Sequence, residues 1–96
     1  MIRINIERCS ASMTFTVEGK LTQPWITELE KCWRDAITGE PAVSIRVRLA
    51  AVMFIDRDGI ELLTVMRRRG AVLVPTGLLM NAVVEEIEGQ RSKEDE

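Results

Sequence analysis

This chain of 96 residues predicts an α/β domain built on a mostly parallel, mixed four-stranded sheet. The helices are expected chiefly on one face, in the element order β-β-α-β-α-β-α. Three observations predict it. Residues 2–7, 12–18 and 43–49 alternate apolar and polar side chains, the period of two that marks a half-buried strand. Apolar residues recur at helical spacing over 26–37, 62–66 and 79–87. The second, third and fourth strands are separated by such helices, so each unit closes as a right-handed parallel crossover and only the N-terminal strand is antiparallel.

The first strand sets Ile2, Ile4 and Ile6 against Arg3, Asn5 and Glu7, and the second sets Met13, Phe15 and Val17 against Thr14, Thr16 and Glu18. The link Arg8-Cys9-Ser10-Ala11 suits a hairpin, and Gly19 ends the second strand. Thr22 is placed as N-cap of the first helix, with Pro24 in its first turn. Ile26, Leu29, Trp33, Ala36 and Ile37 form the stripe of that helix, with Trp33 in the core, and Gly39 and Pro41 stop it.

In the third strand Val43, Ile45, Val47 and Leu49 face inward. Arg46 and Arg48 lie on the polar face, where cross-strand pairing with Glu18 or Glu7 is expected. Val52 to Ile55 read as an apolar connector. Asp58 then reads as the N-cap of the second helix, with Glu61 at N3 as its capping-box partner. Leu62, Leu63 and Met66 make the inner stripe. Arg67, Arg68 and Arg69 suit the dipole of the last turn, and Gly70 supplies the stop. The fourth strand covers 71–74 and is closed by Pro75-Thr76-Gly77. The third helix covers 78–88, buries Leu79, Val83 and Ile87 or their near neighbours, and ends at Gly89. One domain over 1–89 and a charged, flexible tail over 90–96 complete the expectation.

Composition removes several classes of function. Thirteen basic against fifteen acidic residues give a net charge of −2, which provides no global field for nucleic acid or anionic membrane. No apolar run approaches the roughly 20 residues of a membrane span, so no direct membrane insertion is expected. The alternating N-terminus lacks the continuous apolar centre of a signal peptide, and a cytoplasmic location is expected. Without histidine there is no Ser-His-Asp or Cys-His machinery. Cys9 and Cys32 are not in CxxC spacing and read as free thiols in or near the core, with no metal or cofactor implied. No P-loop or GxGxxG appears.

The stretch from Val52 to Leu63 concentrates the unusual chemistry. An apolar run breaks into Asp56-Arg57-Asp58-Gly59 and then resumes at helical spacing, which sets two carboxylates and a glycine at a helix N-terminus.

Across residues 2–89 the chain resembles a STAS domain, the fold of the bacterial anti-sigma-factor antagonists. The resemblance rests on the paired N-terminal strands ending in Val17-Glu18-Gly19-Lys20-Leu21, the helix with Trp33, and the run from Val47 through Asp56 to Gly59. It rests also on the helix closing in Arg69-Gly70-Ala71 before a strand. The resemblance implies a non-catalytic regulatory module, not an enzyme. In the family, a hydroxyl residue just before the glycine is phosphorylated by a serine kinase that doubles as the anti-sigma factor, and the modification releases the complex.

By position, Asp56 takes the family's aspartate, Gly59 its glycine, and Asp58 the phosphorylatable position. The chain departs from the family pattern at three points. Asp58 has no hydroxyl, Arg57 replaces a small residue, and Arg48 stands where the family has a strand-end aspartate. Asp58 carries one charge where a phosphoserine carries nearly two, an imperfect phosphomimetic, so switching by serine phosphorylation at this position is not expected.

The expected contact surface is Asp56, Arg57, Asp58, Gly59, Glu61, Thr64, Arg67 and Arg68, that is, the 55–59 loop and the outward side of the second helix. The expected partner is a protein of the anti-sigma-factor or serine-kinase type. An alternative is service as the STAS subunit of an ABC-type lipid transporter, which would pack on the ATPase through the same helix. A homodimer is left open. A third reading makes Asp56 and Asp58 a magnesium-holding pair, but Arg57 lies between them and no third carboxylate or catalytic lysine is nearby.

Overall fold

The computed structural model describes residues 2–94, which form β1 (Ile2–Cys9), β2 (Ser12–Leu21), α1 (Trp25–Gly39), β3 (Ser44–Ile55), α2 (Arg57–Arg68), β4 (Val72–Pro75) and α3 (Gly77–Glu94). The sheet order is β1-β2-β3-β4, with β1 antiparallel to β2 and the other neighbours parallel. The expected α/β order and mixed four-stranded sheet are therefore present. The parallel strands advance in one direction without reversal, so right-handed crossovers put α1 and α2 on the same face. Burial follows this rule. Ile45, Val47 and Leu49 of β3 are buried while Ser44, Arg46 and Arg48 are exposed.

The core is a continuous apolar layer between that face and the helices. Phe15, Val17, Leu21, Val47 and Leu49 come from the sheet, and Leu29, Trp33, Leu63, Met66 and Met80 from the helices. Among the described residues no polar or charged side chain is buried. No helix of the described residues is long and apolar enough to cross a membrane.

β3 is longer than its alternation shows. It runs to Ile55, where an apolar connector was expected over Val52 to Ile55. Its register with β2 shifts between Val17 and Glu18 and again between Gly19 and Lys20, leaving Ala50 and Met53 unmatched. Each bulge adds one residue, so the inward positions step from Leu49 to Val52 to Ile55. A spacing of three inside a strand defeats a search for period two.

Several helix boundaries also move. Thr22 does not cap α1 with its side chain. Its carbonyl instead accepts from the N–H groups of Trp25 at 2.8 Å and Ile26 at 3.1 Å, and Pro24 flanks the helix. At the end of α2, Gly70 takes φ 102°, its N–H donates to the Arg67 carbonyl, and the Ala71 N–H donates to that of Met66. This Schellman pairing uses the glycine as the expected stop. Gly89 has no left-handed conformation, and α3 continues past it to Glu94. Of the expected tail, residues 95 and 96 lie outside the described residues.

α3 buries Met80, Val83, Val84 and Ile87, whereas Leu79 is 46% exposed and Leu78 93%. Val83 and Ile87 are thus buried as expected, and the first turn of the stripe falls on Met80, the neighbour of Leu79. The register also replaces the expected pairing of Arg46 and Arg48. Arg46 lies opposite Thr14 and Val72, Arg48 opposite Thr16 and Val74, and neither is directly opposite Glu7 or Glu18. Both cysteines are free, but Cys9 is exposed at the hairpin and only Cys32 packs against the core.

The burial of Met80 in place of Leu79 is measurable. Met80→Ala should cost about 2–5 kcal/mol in urea denaturation, and Leu79→Ala less than about 1 kcal/mol, because only Met80 leaves a cavity.

Candidate functional site

The parallel strands β2 and β3 end together, with Leu21 opposite Ile55. The chain leaves β3 through Asp56, whose N–H reaches the Leu21 carbonyl at 3.4 Å, and turns at once into α2. Asp56 has extended backbone and is the N-cap: its Oδ1 accepts from the Gly59 N–H at 2.9 Å, satisfying one of the helix's free donors. The expected cap at Asp58, with Glu61 as its reciprocal partner, is therefore displaced by two residues. The carboxylate that reaches back must sit at the residue with extended backbone, and Asp58 is already inside the first turn.

Gly59 is buried, and the reason is proximity to the neighbouring strand. A Cβ at this position would lie 2.7 Å from the Leu21 carbonyl oxygen and 2.7 Å from Ile55 Cγ1. Only hydrogen fits. The glycine lets the first turn of α2 rest on the ends of both strands, and Leu62, Leu63 and Met66 continue the contact into the core.

The other expected contact residues divide by their position around α2. Arg57, Asp58, Glu61 and Arg68 are exposed, and Thr64 and Arg67 are half-buried. The Thr64 hydroxyl donates to the Ile60 carbonyl at 2.7 Å, and Arg67 pairs with Glu88 of α3 at 3.3 Å. Of the eight residues expected to form one surface, Asp56 and Gly59 thus build the helix start, Arg67 ties α2 to α3, Thr64 bonds back to its own helix, and Arg57, Asp58, Glu61 and Arg68 are exposed.

Two shallow grooves flank the exposed ridge. The groove towards α3, of about 620 Å³, is lined by Arg57, Ile60, Glu61, Thr64, Val65, Arg68 and Glu86. The groove towards α1, of about 380 Å³, includes Gln23, Glu30, Arg34, Asp58, Glu61 and Val65. In the second, Glu30 and Arg34 neutralise each other through a 2.9 Å ion pair, leaving Asp58 and Glu61 as its uncompensated charges. Glu61 and Val65 line both grooves and form the crest between them.

Val65, 39% exposed on an otherwise polar side, belongs to this surface and was not anticipated. An apolar residue on the solvent side of the helical period is the signal that identifies it. Glu30, Arg34 and Glu86 were also not anticipated, because they arrive from other helices and carry no local signature.

Asp56 and Asp58 do not converge. One carboxylate is held by the helix start and the other lines the groove beside α1. Among the described residues no group of three histidine, cysteine or acidic side chains is placed to hold a metal ion.

No protein-family model matches this sequence, and no curated protein does. Its likeness to other proteins is carried by three-dimensional form. An anti-sigma factor antagonist from Mycobacterium paratuberculosis superposes with a TM-score of 0.79 at 16% identity, over 96% of this chain and 82% of that one. The anti-sigma factor antagonist SpoIIAA in its unphosphorylated form gives 0.70 at 19% identity, over 86% of this chain and 82% of that one. An uncharacterized DUF3478-family protein with a SpoIIAA-like fold, from Shewanella loihica, gives 0.54 at 19% identity over 81% and 70%. The chain has the SpoIIAA-like fold of the anti-sigma factor antagonists.

The division of labour at the helix start predicts unequal mutants. Asp56→Ala should lower stability by about 1–2 kcal/mol through loss of the cap. Gly59→Ala should cost about 1–3 kcal/mol by overpacking against Leu21. Asp58→Ala should cost only about 0.3–1 kcal/mol through the helix dipole, and that loss should vanish at high salt in denaturant titrations.

Proposed function

We propose that this protein is a non-catalytic regulatory module that binds a protein partner through the ridge of α2 and the loop before it. Asp58 serves as a fixed negative charge within the contact. One observation carries the reading: the helix is capped by Asp56, so the exposed carboxylate of Asp58 is free of that structural duty and lines a groove instead. A charge inside the first turn is also where a helix N-terminus best tolerates it. The likeness to anti-sigma factor antagonists in form supports a protein, such as an anti-sigma factor of serine-kinase type, as the partner.

In the antagonist pattern the position of Asp58 carries a phosphorylatable hydroxyl. An aspartate there accepts no phosphoryl group from a serine kinase and carries its charge permanently. Control by addition and removal of phosphate at this position is therefore absent, and binding is constitutive towards a partner adapted to the acid. With Asp58 and Glu61 uncompensated beside α1, such a partner presents a cationic group to that groove, and the apolar crest at Val65 supplies the contact between the two grooves.

An affinity capture from native lysate tests the reading, with wild type beside Asp58→Ser, Asp58→Arg and Arg46→Glu. Wild type and Arg46→Glu should retain the same protein, because Arg46 lies on the opposite, open face of the sheet. Asp58→Arg should lose it at least about tenfold in affinity through reversed charge. Asp58→Ser should bind more weakly and become a substrate if the partner is a serine kinase. Recovery of transporter ATPase and permease components would transfer the assignment to a transporter subunit. Equal retention by Asp58→Arg and wild type would remove Asp58 from the recognition surface.

A further inference from the structure

The sheet has two edges of very different character. β4 offers only Val72–Pro75 and ends in a proline, so little of it can accept another strand. β1 runs for eight residues, Ile2–Cys9, and pairs only with β2. Its register with β2 is unbroken, and it contains no proline and no lysine. Long edges of this kind present a row of free backbone donors and acceptors that native proteins ordinarily blunt.

The side chains of β1 specify what could cover that edge. Arg3, Asn5 and Glu7 occupy the open face of the sheet, and Ile2, Ile4 and Ile6 the face shared with the helices. Ile6 is 45% exposed although its cross-strand neighbour Phe15 is fully buried, so the apolar layer stops short at this edge. Within the sheet Arg3 lies opposite Glu18 and Glu7 opposite Thr14, and among the described residues neither Arg3 nor Glu7 closes an ion pair within 4.0 Å. Arg8 does have one, Glu40.

We propose that two copies of this chain associate through antiparallel pairing of β1 with β1, about a two-fold axis at Asn5, to form a continuous sheet across the dimer. Directly opposed residues in an antiparallel pair share a face. In the Asn5-centred register Arg3 of each copy meets Glu7 of the other, giving two identical ion pairs on the open face. Ile4 of each copy meets Ile6 of the other and extends the apolar layer across the seam, bounded at each end by Arg8, which opposes Ile2 and is paired with Glu40.

Other registers are worse. Centring on Arg3 or Glu7 sets like charges face to face, and centring on Ile4 or Ile6 leaves both unpaired. A slip by one residue puts Arg3 opposite Ile6 or Arg8 and turns the apolar side chains of one copy to the wrong face. The interface is self-complementary, as two-fold symmetry requires. It lies apart from the α2 ridge, so it stands or falls independently of the partner proposed above.

Sedimentation velocity from micromolar to near-millimolar concentration tests the dimer with wild type, Arg3→Glu, Glu7→Arg and the double swap Arg3→Glu/Glu7→Arg. Circular dichroism would verify that each remains folded. Wild type should dimerise reversibly. Each single swap places like charges opposite each other twice and should raise the dimer Kd about tenfold. The double swap, which restores opposite charges, should recover it.

In a Cys9→Ser/Cys32→Ser background, Asn5→Cys should form an intermolecular disulfide under mild oxidation, and Glu7→Cys should not. A wild type that stays monomeric throughout would overturn the proposal. So would single swaps that dimerise like wild type, or a folded double swap that fails to recover.

Discussion

The start of α2 rests on the ends of β2 and β3 with no space for a side chain at position 59. A Cβ there would sit 2.7 Å from the Leu21 carbonyl oxygen, so the approach of helix to sheet is set by backbone against backbone. From that contact the direction of the helix follows, and Leu62, Leu63 and Met66 fall into the core while Glu61 and Val65 rise to the crest. The Asp56 cap closes the same junction from the other side by holding the Gly59 N–H. Two short-range constraints, one steric and one hydrogen-bonded, thereby decide which residues of this helix face outward.

The strand order explains why the candidate site is a ridge. In open α/β sheets, ligand crevices form where successive crossovers diverge to opposite sides. Here the order β1-β2-β3-β4 never reverses. The helices share one face, no crevice opens between strand ends, and the accessible features are the shallow grooves on either side of α2. Grooves of this shape suit the surface of another protein better than an enclosed small molecule, which usually needs a deep cavity.

The likeness to anti-sigma factor antagonists at under 20% identity shows how few residues such an architecture constrains. In this chain it rests on apolar alternation in the strands, the glycine at the helix–strand contact and the stop after α2. The positions facing outward are left to vary, and in this chain Arg57 and Asp58 are exposed at the start of α2.

Much of the fold was legible in local patterns. Alternation located β1, β2 and the first half of β3. Helical spacing located the buried stripes of α1 and α2, and Gly70 marked a real stop because its backbone adopts a conformation that glycine tolerates best. Local patterns failed wherever the outcome depended on a neighbour distant in sequence. The second half of β3 bulges to stay in step with β2, and its apolar spacing of three is intelligible only with both strands in view.

Asp56 and Asp58 are equally good caps by composition. The choice between them fell to the backbone direction imposed by the end of β3 and the crowding of Gly59 on Leu21. The face of α3 was chosen by packing on the sheet, with Met80 inward in place of Leu79. The sequence by itself determined the order and type of the elements, because propensity and periodicity act over a few residues. Only the tertiary structure decided which acid caps α2, which residues form the grooves beside it and which edge of the sheet stays open, because each of those depends on contacts between segments that the chain brings together only on folding.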